Sequence, residues 1–301
     1  MRSGLSGVSV SLVLGAIVIF SNAAIAQENN VCPTFKDYHT IKNNSRCWYD
    51  LAVEFNAPEI IQRMGYPLLT YKVRTADGYI LTMFRIPNDH VKNTNARKHP
   101  IYLQHGLVST CATFLGKGRD SLAFILSDAG YDVWLGNYRG NPYSEEHENM
   151  TIYDQEYWNH GTISYISEDD LQLESVPVFF NQLPGGTSIK ILNHAADFVL
   201  GNFRKYNYGR LNPKYYGTSS SPIYDIKKLK LPVYLVFSGQ DWVTPEADAL
   251  NLWRNLPERS RHGMLKINRN VFNHIDMIYG RHAREWVYDP LVRVLNKAIS
   301  S

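Results

Sequence analysis

The sequence shows almost no charge imbalance and has no basic run. Its 31 Lys and Arg residues stand against 28 Asp and Glu residues, which gives a formal net charge of +3. Nucleic-acid-binding domains usually show a clear excess of basic residues on one face or in one run. The composition therefore indicates no nucleic-acid partner.

Long apolar runs are also scarce, and the one near the amino terminus is short. Met1-Arg2 gives a positive start, residues 8–20 are largely apolar, and Ala24-Ile25-Ala26 offers small residues where a signal peptidase reads. The pattern predicts a signal peptide over residues 1–26, with a membrane anchor as the alternative. Cleavage would leave residues 27–301, enough for one domain, and would send the chain to a secreted or lysosomal location.

Cysteine is rare, with three residues in the whole chain. Cys32 and Cys47 are close enough in sequence to close a short loop, which would leave Cys111 alone, although connectivity cannot be read from sequence. The secretory route makes two N-x-S/T sequons usable, so we predict glycans at Asn43 and Asn149.

Strand-like and helix-like segments alternate in the amino-terminal half. Residues 71–75 and 79–85 flank Ala76-Asp77-Gly78, which predicts a β-hairpin. Residues 100–104 read as a buried strand, residues 119–129 have helical spacing, and residues 131–135 are again strand-like. Strand, helix and strand with short glycine loops predict a parallel βαβ unit and hence an α/β fold.

The same alternation returns after an irregular middle segment. We predict a helix from Thr187 or Ser188 to about residue 203, and strands over residues 231–237 and 263–267. Two more helices are predicted over residues 245–256 and 275–299, the second interrupted at Pro290.

Three features follow predicted strands where an α/β enzyme carries its catalytic groups. Asp241 can fix the tautomer of an imidazole, and His274 can take a proton from a hydroxyl and return it to a leaving group. The Leu107 backbone N–H, in His105-Gly106-Leu107, can bind an oxyanion. The alternative is that Asp241 is a turn acid or helix cap and His274 a polar residue at a helix start. Their order along the chain, acid before base, favours the catalytic interpretation.

Long motifs in two blocks resemble a known family. Residues 57–148 contain Gly65-Tyr66-Pro67, Thr75-Ala76-Asp77-Gly78-Tyr79, Leu103-Gln104-His105-Gly106-Leu107 and Asp128-Ala129-Gly130-Tyr131-Asp132-Val133-Trp134. Residues 176–299 contain Pro184-Gly185-Gly186-Thr187-Ser188, Phe203-Arg204-Lys205-Tyr206 and Asn273-His274-Ile275-Asp276. Both blocks resemble the animal acid lipases, the lysosomal and gastric group, and together they cover about three quarters of the chain. Tyr138 replaces the serine that is usual in the family.

The resemblance implies an α/β-hydrolase-type, mostly parallel sheet with flanking helices. It implies Asp241 and His274 as the acid and base of a triad, Leu107 as an oxyanion donor, and no cofactor or metal. The implied substrates are carboxylic esters of neutral lipids, either acylglycerols or sterol esters, with peripheral contact to a lipid surface.

One required motif is absent from the sequence. Such lipases carry the nucleophilic serine in G-x-S-x-G on a strand-to-helix elbow, and no such pentapeptide occurs here. The family pattern breaks between about Trp158 and Val176, too short a stretch for the ~30 residues of a βαβ unit. We therefore expect an internally truncated fold that lacks its central strands and most of its cap, with residues 159–204 as a residual cap region.

The missing block leaves several interpretations open. The chain can be an inactive lipase-family protein that binds lipid or a partner, or an incomplete gene model or splice form of an active lipase. Residual esterase activity through Ser109 or Ser238 is a weaker alternative, since neither serine has an elbow. The strand at 100–104 must either pair directly with that at 231–237 or leave two unpaired buried edges.

Overall fold

A computed structural model describes residues 28–88, 99–107, 109–158, 174, 176–181, 185–186, 188–199, 203–241 and 243–300. The predicted signal peptide and most of the predicted cap region lie outside the described residues. The disulfide predicted between Cys32 and Cys47 is present, and Cys111 is a buried free thiol. Within the described ranges, no helix is long and apolar enough to cross a membrane.

The described strands form two sheets. They are β1 (Leu69–Arg74), β2 (Tyr79–Ile86), β3 (Pro100–Gln104), β4 (Asp132–Gly136), β5 (Glu146–His147), β6 (Val233–Ser238) and β7 (Arg261–Ile267). The first sheet has the order β1-β2-β4-β3, with β5 beside β2, and the second pairs β6 with β7. Strands β3 and β4 run parallel, as do β6 and β7, while β2 is antiparallel to β1, β4 and β5.

Helices flank both sheets. The α-helices are α1 (Phe35–Tyr38), α2 (Ala57–Arg63), α3 (Leu122–Asp128), α4 (Val176–Asn181), α5 (Ile189–Val199), α6 (Asn212–Tyr216), α7 (Glu246–Asn255), α8 (Asp276–Tyr279) and α9 (Asp289–Ser300). A π-helical turn at Arg284–Tyr288 precedes α9. Short 3-10 turns lie at Ile41–Asn43, Leu51–Glu54, Cys111–Phe114, Gly118–Asp120, Gln155–Trp158, Gly209–Leu211, Ile226–Lys228 and Glu258–Ser260.

The amino-terminal half follows the predicted order of elements. The hairpin of β1 and β2 turns at Gly78, whose φ of 90° suits a residue without a side chain. The unit β3-α3-β4 has parallel register from the pair Pro100 and Asp132 to the pair Gln104 and Gly136. Helix α3 begins three residues later than predicted because Gly118–Asp120 forms a separate 3-10 turn. The α/β architecture is thereby confirmed.

The carboxyl-terminal helix breaks at a different place from the predicted one. The interruption predicted at Pro290 is wrong, because the helical turns continue from Arg284–Tyr288 through Pro290 into α9. The chain instead leaves the helical conformation at Gly280, whose ψ is 145°. The π-helical turn then leads into α9 without a gap.

One face of both sheets packs on a shared hydrophobic core. Phe84, Val133 and Leu135 of the first sheet and Ile267 of the second are buried in one cluster with α2 and α3, against which α9 also packs. Phe124 of α3 is fully buried, and its ring stacks on that of Tyr66 with the centroids 4.5 Å apart. Helices α2, α3 and α9 therefore cover the inner face.

The strand β3 is less covered than its sequence predicts. Pro100 and Tyr102 are exposed, Tyr102 by 56%, because among the described residues β3 pairs with β4 alone and forms an edge of the first sheet. The strand β6 likewise pairs with β7 alone within the described part of the chain. Among the described residues the two strands do not pair with each other, so both keep an unpaired edge, but the edge at β3 is exposed rather than buried as expected.

Candidate active site

The carboxylate of Asp241 is held in a loop directly after β6. Its side chain is fully buried. Oδ1 accepts hydrogen bonds from the amides of Val243 and Thr244, both at 2.8 Å. Oδ2 accepts a hydrogen bond from the Thr244 hydroxyl at 2.7 Å. The loop thus satisfies the carboxylate from one side and leaves Oδ2 available to one further donor.

That further donor is the His274 ring. The His274 Nδ1 atom lies 2.8 Å from Asp241 Oδ2, and its side chain is 34% exposed. Although burial raises the pKa of Asp241, the hydrogen bonds from His274 and Thr244 outweigh it and hold the pKa below its usual value. An ionised Asp241 fixes the proton on Nδ1 and leaves Nε2 as a free base.

The turn that carries His274 is fixed by its neighbours. The Asn273 amide donates to the buried carboxylate of Asp276 at 2.7 Å, and the Ile275 amide donates to the Asn273 side chain at 3.1 Å. These bonds show that the other residues of the Asn273-His274-Ile275-Asp276 motif hold the turn in which His274 lies. Its flanking polar residues set the direction of the ring.

The third predicted residue, Leu107, lies in the turn after β3. Its side chain is 38% exposed, and within the described residues its amide has no hydrogen-bond partner. No hydrogen bond joins Leu107 to Asp241 or His274 in the described part of the chain. The structure therefore joins the acid to the base directly, while Leu107 presents an open amide from a separate loop.

A buried histidine holds this turn, and the sequence interpretation missed it. His105 Nδ1 donates to the Gly106 carbonyl at 2.8 Å, and Nε2 accepts from the Tyr138 amide at 3.3 Å and the Asn141 side chain at 3.2 Å. Burial lowers the pKa of His105 to about 4. In the sequence His105 is visible in the turn motif, but its side chain was given no role, because its partners Tyr138 and Asn141 lie 33 and 36 residues further along the chain.

The low pKa of His105 predicts a pH-dependent stability. Folding requires neutral His105, whereas the unfolded chain protonates it near 6.5, so protons favour unfolding as pH falls from about 6.5 to 4. The stability is complete above this window, and up to about 3 kcal/mol of the unfolding free energy is lost across it. Urea titrations at several pH values measure the loss.

The matched variants for this measurement are His105→Gln and His39→Gln. The first should flatten the pH dependence relative to the natural chain, and the second, at an exposed position, should leave it unchanged. Equal pH dependence in His105→Gln and the natural chain would show that His105 does not carry the effect.

The two alternative serines have other partners. Ser238 is fully buried, and its hydroxyl donates to the Phe272 carbonyl and accepts from the Gln240 amide at 3.2 Å. The Ser109 hydroxyl contacts the Thr113 hydroxyl. Neither has a hydrogen bond to His274 within the described residues. A nucleophile has to lie within reach of its base, and neither serine meets that condition here.

No cluster of three or more His, Cys, Asp or Glu side chains that could hold a metal occurs among the described residues. The described residues thus bring together an imidazole and a carboxylate, with an open backbone amide in a separate loop, which are the kinds of group that an acyl-transfer site uses.

Comparison with known proteins gives several lipase matches. A family model described as "Partial alpha/beta-hydrolase lipase region" matches residues 57–118. Human lipase member M is 38% identical over 148 residues, 48% of this chain and 34% of that protein. Rat gastric triacylglycerol lipase is 36% identical over 151 residues, 48% of this chain and 37% of that protein.

Over the matched residues the chain is similar to the animal acid lipases. A nematode member, lipase lipl-1 of Caenorhabditis elegans, is 24% identical over 380 aligned residues, covering 83% of this chain and 93% of that protein. The mammalian acid lipases align with only about half of the chain, and the chain spans about a third of their length. Solved structures that resemble it include the Pyrococcus furiosus esterase Pf2001, at 13% identity and a TM-score of 0.45, covering 81% of this chain and 94% of that one.

Proposed function

We propose that this chain is an acid lipase-family protein that retains the acid and base of an ester-cleaving triad but has no nucleophile. The supporting observation is the contact of 2.8 Å between His274 Nδ1 and Asp241 Oδ2 in a sequence without G-x-S-x-G. In this proposal Asp241 is the orienting acid, His274 is the base and the Leu107 amide is an oxyanion donor. The lineage acts on carboxylic esters of neutral lipids, and this chain keeps only part of that chemistry.

The losses of kcat that follow removal of triad and oxyanion groups in other enzymes support an inactive protein. Loss of the serine from a triad that acts as a unit costs about 10⁶ in kcat. The second oxyanion donor, the amide after the serine, is lost with the elbow, and one such donor alone is worth about 10²–10³. With both losses, covalent turnover falls to the level of the uncatalysed reaction plus small binding effects.

Ester turnover tests this proposal. Chromogenic fatty-acyl esters should be hydrolysed no faster by the natural chain than by His274→Ala, because a base without a hydroxyl to deprotonate adds nothing. An Asp241→Asn variant should also match the natural chain. A drop of tenfold or more in either variant would show that the acid and base still work on a nucleophile.

A second candidate, an incomplete gene model or splice form of an active lipase, is supported by the nematode alignment. The alignment has 380 positions but covers only 83% of 301 residues, so about 130 positions of lipl-1 have no counterpart here. The genomic sequence between the codons for Trp158 and Val176 separates the two candidates. An exon there that encodes G-x-S-x-G favours the incomplete chain, and uninterrupted coding sequence favours the inactive paralogue.

We further propose that residues 1–26 are a signal peptide, that residues 27–301 form one secreted or lysosomal domain, and that Asn43 and Asn149 carry glycans. Both asparagines are exposed, and the Cys32–Cys47 bridge suits an oxidising compartment. Protein from culture medium should begin near Gln27 and lose mass on glycosidase treatment, with Asn43→Gln and Asn149→Gln each removing one glycan. A retained Met1 or an unchanged mass would contradict this proposal.

A further inference from the structure

A cavity of about 790 Å³ lies beside the acid of the site. One wall is Phe203 with residues 223–227, the other is one side of α7, and Thr244 lies between them. Cavities that hold small molecules have volumes of about 300–1,000 Å³. The size is therefore that of a ligand site rather than of a packing defect.

Regular backbone structure builds both walls. The Tyr224 amide donates to the Phe203 carbonyl at 3.0 Å, and the Lys205 amide donates to the Pro222 carbonyl at 2.8 Å, so two extended segments pair. The opposite wall is formed by Asp248, Asn251, Leu252 and Asn255, whose helical spacing places them on one side of α7. The cavity is therefore formed before any ligand binds.

Large apolar side chains converge on this cavity although they are open to solvent. The exposed fractions are 50% for Phe203, 61% for Ile223, 38% for Tyr224 and 37% for Leu252. The rings of Phe203 and Tyr224 are 5.3 Å apart and extend this surface. Exposed apolar groups that converge on one concave surface, rather than scattering singly, mark an apolar ligand.

The charges around the cavity restrict the ligand's polar end. Among the described lining residues Lys227 is the only cation, against the carboxylates of Asp225 and Asp248. Asp225 forms an ion pair at 3.3 Å with Lys228, which does not line the cavity. The remaining charges of the described lining are then one carboxylate, on Asp248, and one ammonium group, on Lys227. An anionic head finds no excess positive charge there, whereas Asn251, Asp248 and Thr244 can exchange hydrogen bonds with hydroxyl groups.

We infer that this cavity binds a single-chain lipid with an uncharged, hydroxyl-bearing head. The chain lies on Phe203, Ile223 and Leu252, and the head lies at the polar residues of α7. The inference does not depend on the proposed loss of catalysis, because no nucleophile takes part in the binding.

Calorimetric titration with 1-monolauroylglycerol tests the inference. The natural chain should bind one equivalent saturably, and Ile223→Asp and Leu252→Asp should each weaken binding about tenfold or more, since a carboxylate in an apolar site is costly. Both positions are partly exposed, so the variants should fold, which near-ultraviolet circular dichroism verifies. Leu211→Asp, at a 54% exposed leucine outside the cavity, is the matched control and should bind like the natural chain.

Laurate, which has the same chain and an anionic head, tests the assigned head group. It should bind about tenfold more weakly than the monolauroyl ester at neutral pH. Absence of saturable binding, equal binding by all three variants, or tighter binding of laurate would overturn the inference. None of these results depends on ester hydrolysis, so failure here is distinguishable from failure of the proposed function.

Discussion

Insertion of a strand–elbow–helix block between Trp158 and Val176 is expected to raise ester turnover by about 10⁶-fold. The physical reason is that His274 Nδ1 and Asp241 Oδ2 are already in contact at 2.8 Å. A serine on an elbow beside His274 would supply the missing hydroxyl and, through the next amide, a second oxyanion donor. The corresponding block of gastric triacylglycerol lipase is a suitable source.

Two controls accompany this insertion. The same block with its elbow serine changed to alanine should fold equally well and remain at background turnover, and so should the insertion combined with His274→Ala. The unpaired edges of β3 and β6 provide sites for the new strands, so the inserted chain should also resist urea better. A well-folded insertion with its serine but without turnover would show that the acid and base are not placed for catalysis.

The substitution Phe124→Ala is expected to lower the free energy of unfolding by about 3–5 kcal/mol. The Phe124 ring is fully buried in α3 and stacks on Tyr66, so its removal leaves a cavity that the packed strands β2 and β4 cannot collapse to fill. Urea denaturation followed by circular dichroism measures the loss.

The matched control for this measurement is Phe35→Ala. Phe35 is 40% exposed in the short helix α1, so its loss should cost about 0.5 kcal/mol or less. Similar losses in the two variants would mean that α3 does not anchor the core.

Local sequence patterns predicted most of the elements because local physics decides them. The hairpin turn at Gly78 and the turn at Gly130 between α3 and β4 depend on glycines, and the elements around them on periodicity, both visible in the sequence. The exposure of β3 was not predictable in this way, since a strand with a buried pattern becomes an edge only through the absence of a neighbour. The helix break was misplaced because proline usually interrupts a helix, whereas here the π-helical turn at Arg284–Tyr288 continues through Pro290 into α9.

The site shows the same division between local and long-range information. Asp241 and His274 were predictable as a pair because each follows a strand, and parallel strands end at the same edge. The roles of Thr244 and His105 were not, since both act through hydrogen bonds that form only after folding. The close packing of Gly185 on Ser109 was also hidden, because only tertiary structure shows that a Cβ on Gly185 would lie 2.3 Å from the Ser109 carbonyl oxygen.

Labelling with a serine-directed fluorophosphonate tests directly whether the chain has an activated serine nucleophile. The probe reacts only with a serine that a base activates beside an oxyanion site, and gastric triacylglycerol lipase serves as the positive control. We expect no adduct on the natural chain by intact mass, under conditions that label the control completely. One equivalent of adduct on Ser109 or Ser238 would contradict it, because the protein would then have recruited a new nucleophile.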